Sequence, residues 1–203
     1  MAKIGFIGTG VMGAAMAGHL LDAGNELYVY NRTKAKTESL VARGATYCAT
    51  PQEIAEVTDI VFSIVGYPKD VREIYFGEKG VFKADVHDTF LVDMTTSEPA
   101  LAQEIYHAAK EAGASALDAP VSGGDIGAKN ASLTIMVGGE EEAYEHLLPY
   151  FEAIGKTITR QGAAGAGQHT KMANQIAIAG TMTAMTELMV YADKAGLDVE
   201  KVL

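Results

Sequence analysis

Near the amino terminus a strand-like run, Lys3 to Ile7, apolar from Ile4 onward, stops at Gly8-Thr9-Gly10-Val11-Met12-Gly13 and gives way to a segment with helical spacing, Met12–Ala23. Few folds place three glycines at that spacing between a strand and a helix. Gly8 allows the tight turn, Gly10 lets backbone approach a pyrophosphate, and Gly13 lets the helix pack closely on the strand. The helix N-terminus then points its free N–H groups and the positive end of its dipole at the anion. Small residues continue along one side of the helix (Gly13, Ala14, Ala17, Gly18), as close packing against a sheet requires. A purely structural glycine turn is the plain alternative, and a second signal downstream decides against it.

The rest of the chain alternates short apolar runs with longer amphipathic ones, the pattern of a parallel sheet flanked by helices. Strands are expected at Ile4–Ile7, Leu27–Tyr30, Ile60–Ile64, Phe90–Asp93, Ala116–Asp118, Leu133–Val137 and near Thr157–Thr159. Most read as continuous apolar stretches, as buried parallel strands do. Helices are expected near Lys34–Arg43, Lys69–Phe76, Pro99–Ala112 and Glu140–Ile154. After Gln161 the pattern changes. A hinge-like Gly162-Ala163-Ala164-Gly165-Ala166-Gly167 run leads into a strand-free, Ala- and Met-rich helical segment, Gln168–Ala195, which wants partners on more than one face. The division expected is a nucleotide domain over residues 1–161. A hinge and long helix over 162–203 would open a helical domain that is cut short at Leu203.

The second signal ends the next strand. An acid normally stands there to accept the ribose 2′-hydroxyl and repel a 2′-phosphate. Here the chain has Asn31-Arg32-Thr33 instead, with Lys34 and Lys36 following, the densest basic cluster in the sequence. Asn31 is neutral, Arg32 offers a charge-assisted fork and Thr33 a hydroxyl, which reads as a site for NADP(H) in preference to NAD(H). The alternative is a solvated charge run.

Two further blocks complete the pattern. Asp118-Ala119-Pro120-Val121-Ser122-Gly123-Gly124 follows a strand end, where its glycine N–H groups and hydroxyl make a receptor for a carboxylate. Gly165-Ala166-Gly167-Gln168-His169-Thr170-Lys171-Met172-Ala173-Asn174-Gln175 opens the long helix. With Gly5-Phe6-Ile7-Gly8-Thr9-Gly10-Val11-Met12-Gly13, these motifs make the chain resemble the β-hydroxyacid dehydrogenases, over its whole length and in the family's order. That family includes 3-hydroxyisobutyrate dehydrogenase and the tartronate, glyoxylate and succinic semialdehyde reductases. The resemblance implies a Rossmann-type, doubly wound, mainly parallel sheet followed by an all-α domain. Ser122, Gly123, Gly124, Asn174 and Gln175 would bind substrate. Gly8, Thr9, Gly10, Val11, Met12, Gly13, Asn31, Arg32, Thr33, Lys36, Val65, Gly66 and Thr96 would hold the cofactor. Gly66 departs from the family's usual proline. Gln175 is similar to the tartronate semialdehyde reductases, whereas Asn31-Arg32-Thr33 looks more like the glyoxylate and succinic semialdehyde reductases, so the substrate stays open. The related 6-phosphogluconate dehydrogenases are disfavoured, since their His-Asn-Gly-Ile-Glu-Tyr run is replaced by Ala173–Ile178.

Lys171 is the expected catalytic centre, assisted by Asn174 and Ser122. Asn174 and Gln175 lie three and four positions after it, on one helix face. A lysine in a partly dry cleft beside a cationic nicotinamide has its pKa drawn down toward a useful proton-transfer range. It would protonate the alkoxide as hydride arrives, or take that proton back in the reverse direction. A cleft left open to water would cost Lys171 that dry setting. A nucleotide-binding or dimerisation module without catalysis is therefore the competing expectation.

The remaining composition excludes more than it assigns. With 16 basic against 26 acidic side chains in 203 residues, a formal charge of −10 argues against nucleic acid as partner. Cys48 stands alone, so no internal disulfide is expected and a reducing, cytoplasmic setting is the simpler reading. No leader is read in the first residues and no apolar run is long enough to span a bilayer. The five histidines show no metal-ligand spacing, and no metal is expected. His169 reads as partly exposed and Glu140-Glu141-Glu142 as the solvated start of a helix. The small carboxylate substrate is the main partner expected, with a homodimer or homotetramer covering the apolar helix.

Overall fold

A computed structural model describes residues 1–203. Its first half runs β1 (Lys3–Ile7), α1 (Val11–Asp22), β2 (Glu26–Tyr30), α2 (Glu38–Val41), β3 (Thr46–Tyr47), α3 (Pro51–Val57), β4 (Ile60–Ser63), α4 (Pro68–Phe76), β5 (Phe90–Asp93) and α5 (Pro99–Glu111). The second half runs β6 (Ser115–Asp118), β7 (Val121–Ser122), α6 (Gly124–Lys129), β8 (Leu133–Gly138), α7 (Glu141–Glu152), β9 (Gly155–Gly162), α8 (Ala166–Lys194) and α9 (Val199–Val202).

One sheet takes the order β3-β2-β1-β4-β5-β6-β8-β7, with β9 along the other edge of β8. The strands from β3 to β6 are parallel. Both β6 and the two-residue β7 meet β8 antiparallel, and β9 runs parallel to β8. The order reverses between β1 and β4, which opens a crevice beyond the carboxyl ends of those strands.

Alternate side chains of each strand feed two cores. Ile4, Phe6, Phe62, Val92 and Leu117 pack under α1 and α7 with Met16, Leu20, Leu147 and Phe151. On the opposite face Ile7, Val61, Leu91 and Ala116 pack under α3, α4 and α5 with Ile54, Tyr75 and Ile105. Burial on both faces is why these strands lack a polar alternation.

Several expectations need correction. Lys34–Arg43 is not one helix: a 3-10 turn over Lys34–Thr37 precedes the short α2. Gly18 does not serve close packing on the sheet. An added Cβ there would meet the Arg43 guanidinium at 2.6 Å, and Arg43 Nη2 donates to Gly18 O. The second half of the Gly/Ala run is not loose. Gly167 is buried, and a Cβ on it would lie 2.3 Å from Met136 O. From Gln175 to Tyr191 every residue of α8 is exposed, including Ile176, Ile178, Met182 and Val190. No helix of the chain is long and apolar enough to cross a membrane.

Candidate functional site

A cavity of about 910 Å³ lies over the carboxyl ends of the strands around β1 and reaches the first turns of α8. Its floor is the glycine turn. Gly8 has φ +98°, and a Cβ on it would sit 2.1 Å from Ile64 O. A Cβ on Gly13 would meet Gly8 O at 1.9 Å, so only glycine lets α1 start against the turn. Gly10 differs: nothing lies within 4 Å of its missing Cβ, and it precedes α1 without a side-chain cap. Open space in front of uncapped N–H groups fits a pyrophosphate.

Gly8, Gly10, Val11, Met12 and Gly13 all face the cavity. Thr9 does not. It is buried behind the wall, where its N–H donates to Asn31 Oδ1 at 3.1 Å. Asn31 Nδ2 in turn donates to Thr33 O at 3.0 Å, so Asn31 ties the glycine turn to the loop after β2. Asn31, Arg32, Thr33 and Lys36 face the cavity, whereas Lys34 lies over the Tyr47 ring at 4.6 Å. Two acids that sequence reasoning passed over share this end, Asp70 and Glu73. Asp70 had a signal, since it stands three residues after Tyr67 with Pro68 at the first helical position. Val65, Gly66 and Thr96 also line the cavity, Gly66 beside Asp70, with the Val65 N–H on Thr95 Oγ1 at 3.0 Å.

At that far end Ser122, Gly123, Gly124, Lys171, Asn174 and Gln175 come together. Lys171 Nζ donates to Ser122 Oγ at 2.9 Å, and Asn174 Nδ2 donates to the same oxygen at 3.1 Å. With its oxygen accepting twice, the Ser122 hydroxyl is left to donate its own hydrogen to a third group. Asn174 also donates to Gln175 Oε1 at 3.2 Å. Lys171 is 8% exposed, and burial draws its pKa below the ordinary lysine value. Strand β7 and helix α8 cover most of the Lys171 side chain, which still lines the cavity. His169 is exposed and lies outside the cavity.

What seats α8 was not foreseen. Asp118, 4% exposed at the end of β6, accepts the Gly165 N–H at 2.7 Å and the Gln168 N–H at 2.8 Å. Burial raises the Asp118 pKa, and those backbone bonds oppose the rise. The fully buried Gln168 side chain donates to Thr95 O at 2.7 Å and accepts from Ser97 N at 2.8 Å. Beneath them Asp93 accepts from Ser63 Oγ and Thr95 N, and burial pushes its pKa up to about 6. The position of Gln168, inside a motif already singled out, was the available signal.

Comparison with known proteins places this geometry in context. A family model described as the NAD binding domain of 6-phosphogluconate dehydrogenase matches residues 3–162. A second, described as NAD-binding of NADP-dependent 3-hydroxyisobutyrate dehydrogenase, matches residues 165–203. The chain is 53% identical over 200 residues to an uncharacterized oxidoreductase of Bacillus subtilis, YkwC, covering 98% of this chain and 69% of that one. It is 42% identical to 2-hydroxy-3-oxopropionate reductase of Escherichia coli, covering 98% and 68% respectively. A solved structure of Mycobacterium tuberculosis 3-hydroxyisobutyrate dehydrogenase with L-serine superposes with a TM-score of 0.90 at 33% identity, covering 98% of this chain and 67% of that one. The chain spans 60% to 69% of the length of four curated relatives it matches.

Proposed function

The chain belongs to the β-hydroxyacid dehydrogenase family, and from that premise we propose that it is an NADP(H)-dependent oxidoreductase of small β-hydroxyacids and their semialdehydes or keto acids. The nicotinamide, when bound, supplies or accepts the hydride. The observation that carries the reading is the hydrogen bond from Lys171 Nζ to Ser122 Oγ, in the same cavity as the glycine turn.

Each end of the cavity has a share in the work. The N–H groups after Gly10 and the fork of Arg32, with Thr33 and Lys36, hold the phosphates. The Ser122 hydroxyl and the backbone of Gly123 and Gly124 receive the substrate carboxylate, and Asn174 with Gln175 orients it. Lys171 holds the transferable proton. In the reducing direction its ammonium gives that proton to the carbonyl oxygen as hydride reaches the carbon. In the oxidising direction the neutral amine takes the proton from the hydroxyl. Such proton transfer is worth ~10²–10⁴-fold in rate.

A second reading, a nucleotide-binding or self-associating module without turnover, is favoured by the exposed apolar side chains of α8. NADPH oxidation with glyoxylate, succinic semialdehyde, tartronate semialdehyde and methylmalonate semialdehyde separates the two. Turnover of at least one, lost by two or more orders of magnitude in Lys171→Ala, supports the proposal. Turnover that survives the substitution removes Lys171 from the mechanism. Cofactor binding with no turnover on any of the four favours the second reading, and mass measurement in solution then tests self-association.

A further inference from the structure

At the nucleoside end of the cavity one ion pair stands where a ligand would lie. Arg32 follows β2 and Asp70 opens α4 after β4, and β1 with its glycine turn runs between those two strands. Arg32 Nη1 donates to Asp70 Oδ1 at 3.0 Å, so the pair reaches across the crevice above the turn. The partners are unequal. The Arg32 side chain is 84% exposed, while that of Asp70 is 16% exposed. Asp70 is also fixed from behind, since its Oδ2 accepts the Tyr67 N–H at 3.1 Å at the start of α4.

We propose that Asp70 moderates the cofactor preference of this site by competing with the adenosine 2′-phosphate for Arg32. The inference rests on the reading of Arg32 as the phosphate-binding fork and deepens it. A 2′-phosphate has two ways to reach this guanidinium. It displaces Asp70, and the ion pair is lost. Otherwise it shares the guanidinium, and a dianion then sits within a few ångströms of a carboxylate that cannot swing away. Because Asp70 is sheltered from solvent, that repulsion is less screened than between surface charges. Glu73, which also lines this end, adds to it. A ribose 2′-hydroxyl bears neither cost. Asp70 therefore narrows the margin by which Arg32, Thr33 and Lys36 favour a phosphorylated ribose.

The test uses 2′,5′-ADP and 5′-AMP as probes, so that hydride transfer plays no part. Calorimetry on the full chain gives the ratio of their affinities. In Asp70→Asn the ratio is expected to rise in favour of 2′,5′-ADP by about three- to tenfold, the order of one removed like-charge contact in a partly sheltered site. Asparagine keeps an acceptor for the Tyr67 N–H. Asp70→Ser, which also discards the charge, gives the same direction if the first variant folds poorly. General damage to α4 would weaken both probes alike and leave the ratio in place. In an Arg32→Ala background the Asp70→Asn effect is expected to shrink below about twofold. An unchanged or lower ratio in both Asp70 variants overturns the proposal, as does an undiminished effect without Arg32. A wild-type chain that fails to favour 2′,5′-ADP refutes the NADP(H) reading alone, because the change in ratio on removing Asp70 is still measured.

Discussion

The Asp118 carboxylate accepts the backbone N–H of Gln168 at 2.8 Å, joining the end of β6 to the first turn of the helix that carries Lys171. Its other oxygen holds the Gly165 N–H, so both are committed to seating α8. Asp118→Asn leaves one acceptor and turns an NH2 group toward a backbone donor. The expected cost is about 1–3 kcal/mol of stability, with kcat falling more than KM rises as Lys171 loses its position over Ser122. Urea denaturation and steady-state kinetics on the same preparation check this. A loss of rate that only tracks the unfolded fraction would leave Asp118 a purely structural anchor.

The glycines of the turn separate binding from folding. Gly10→Ala places its methyl in open space, so the thermal midpoint should hold while NADPH affinity falls by about tenfold or more, the methyl standing where backbone meets pyrophosphate. Gly13→Ala drives a methyl into Gly8 O. Overpacking of that kind costs about 1–3 kcal/mol or more, and stability and affinity should fall together. Equal effects from the two substitutions would contradict the assignment of the open space to the ligand.

Asp93 makes stability depend on pH. Folded, it keeps its proton up to about pH 6, whereas the ordinary carboxyl value is 3.8. Between those values the folded state binds more protons. This contribution is therefore fully present below about pH 4 and is lost as pH rises through about 6. Its ceiling is about 3 kcal/mol, at about 1.4 kcal/mol per pH unit. Asp93→Asn should flatten the difference in thermal midpoint between pH 5 and pH 7.5. A variant with the same slope as the parent would assign that slope to other groups.

Lys171 should give mirror-image pH profiles. Reduction needs the ammonium, so its rate falls as pH rises through the Lys171 pKa, which lies below the ordinary 10.5. Oxidation needs the neutral amine and rises over the same interval. Ser122→Ala takes away the hydroxyl assigned to the substrate carboxylate. It is expected to raise KM by about ten- to a hundredfold, the worth of a hydrogen bond to a charged group. Profiles of the same sense in both directions would exclude Lys171 as the proton carrier.

Legibility in the sequence followed length and locality. The strand–turn–helix at Gly8–Gly13 could be read because the strand, the three glycines and the helix follow one another in a single short stretch, even though the atom that crowds Gly8 belongs to the distant Ile64. Neither β3 nor β7 could be, since two residues carry no periodicity. Pro51–Val57 went unread although its start is marked: Thr50 accepts the Glu53 N–H, and Pro51 opens the helix. At the site, the motifs brought Ser122, Lys171 and Asn174 to notice, and the structure sets them within hydrogen-bonding distance. Asp118 lies in the Asp118–Gly124 motif, yet its partners are 47 and 50 residues away. Nothing local distinguishes a carboxylate that will anchor a distant helix from one left in solvent. Asp70 differs: its place at the start of α4 carried a local signal, but its bond to Arg32, 38 residues earlier, carried none.

With its first turn clamped by Asp118 and Gln168, α8 is a lever with a fixed pivot. At ~1.5 Å per residue its 29 residues extend about 43 Å. Lys171 stands only about 7 Å along that arm. A swing that carries the distal end through about 5 Å thus shifts the Lys171 backbone by less than about 1 Å. The helix reduces motion on its way inward, so whatever pushes on the far end reaches the proton-transfer chemistry scaled down roughly sixfold.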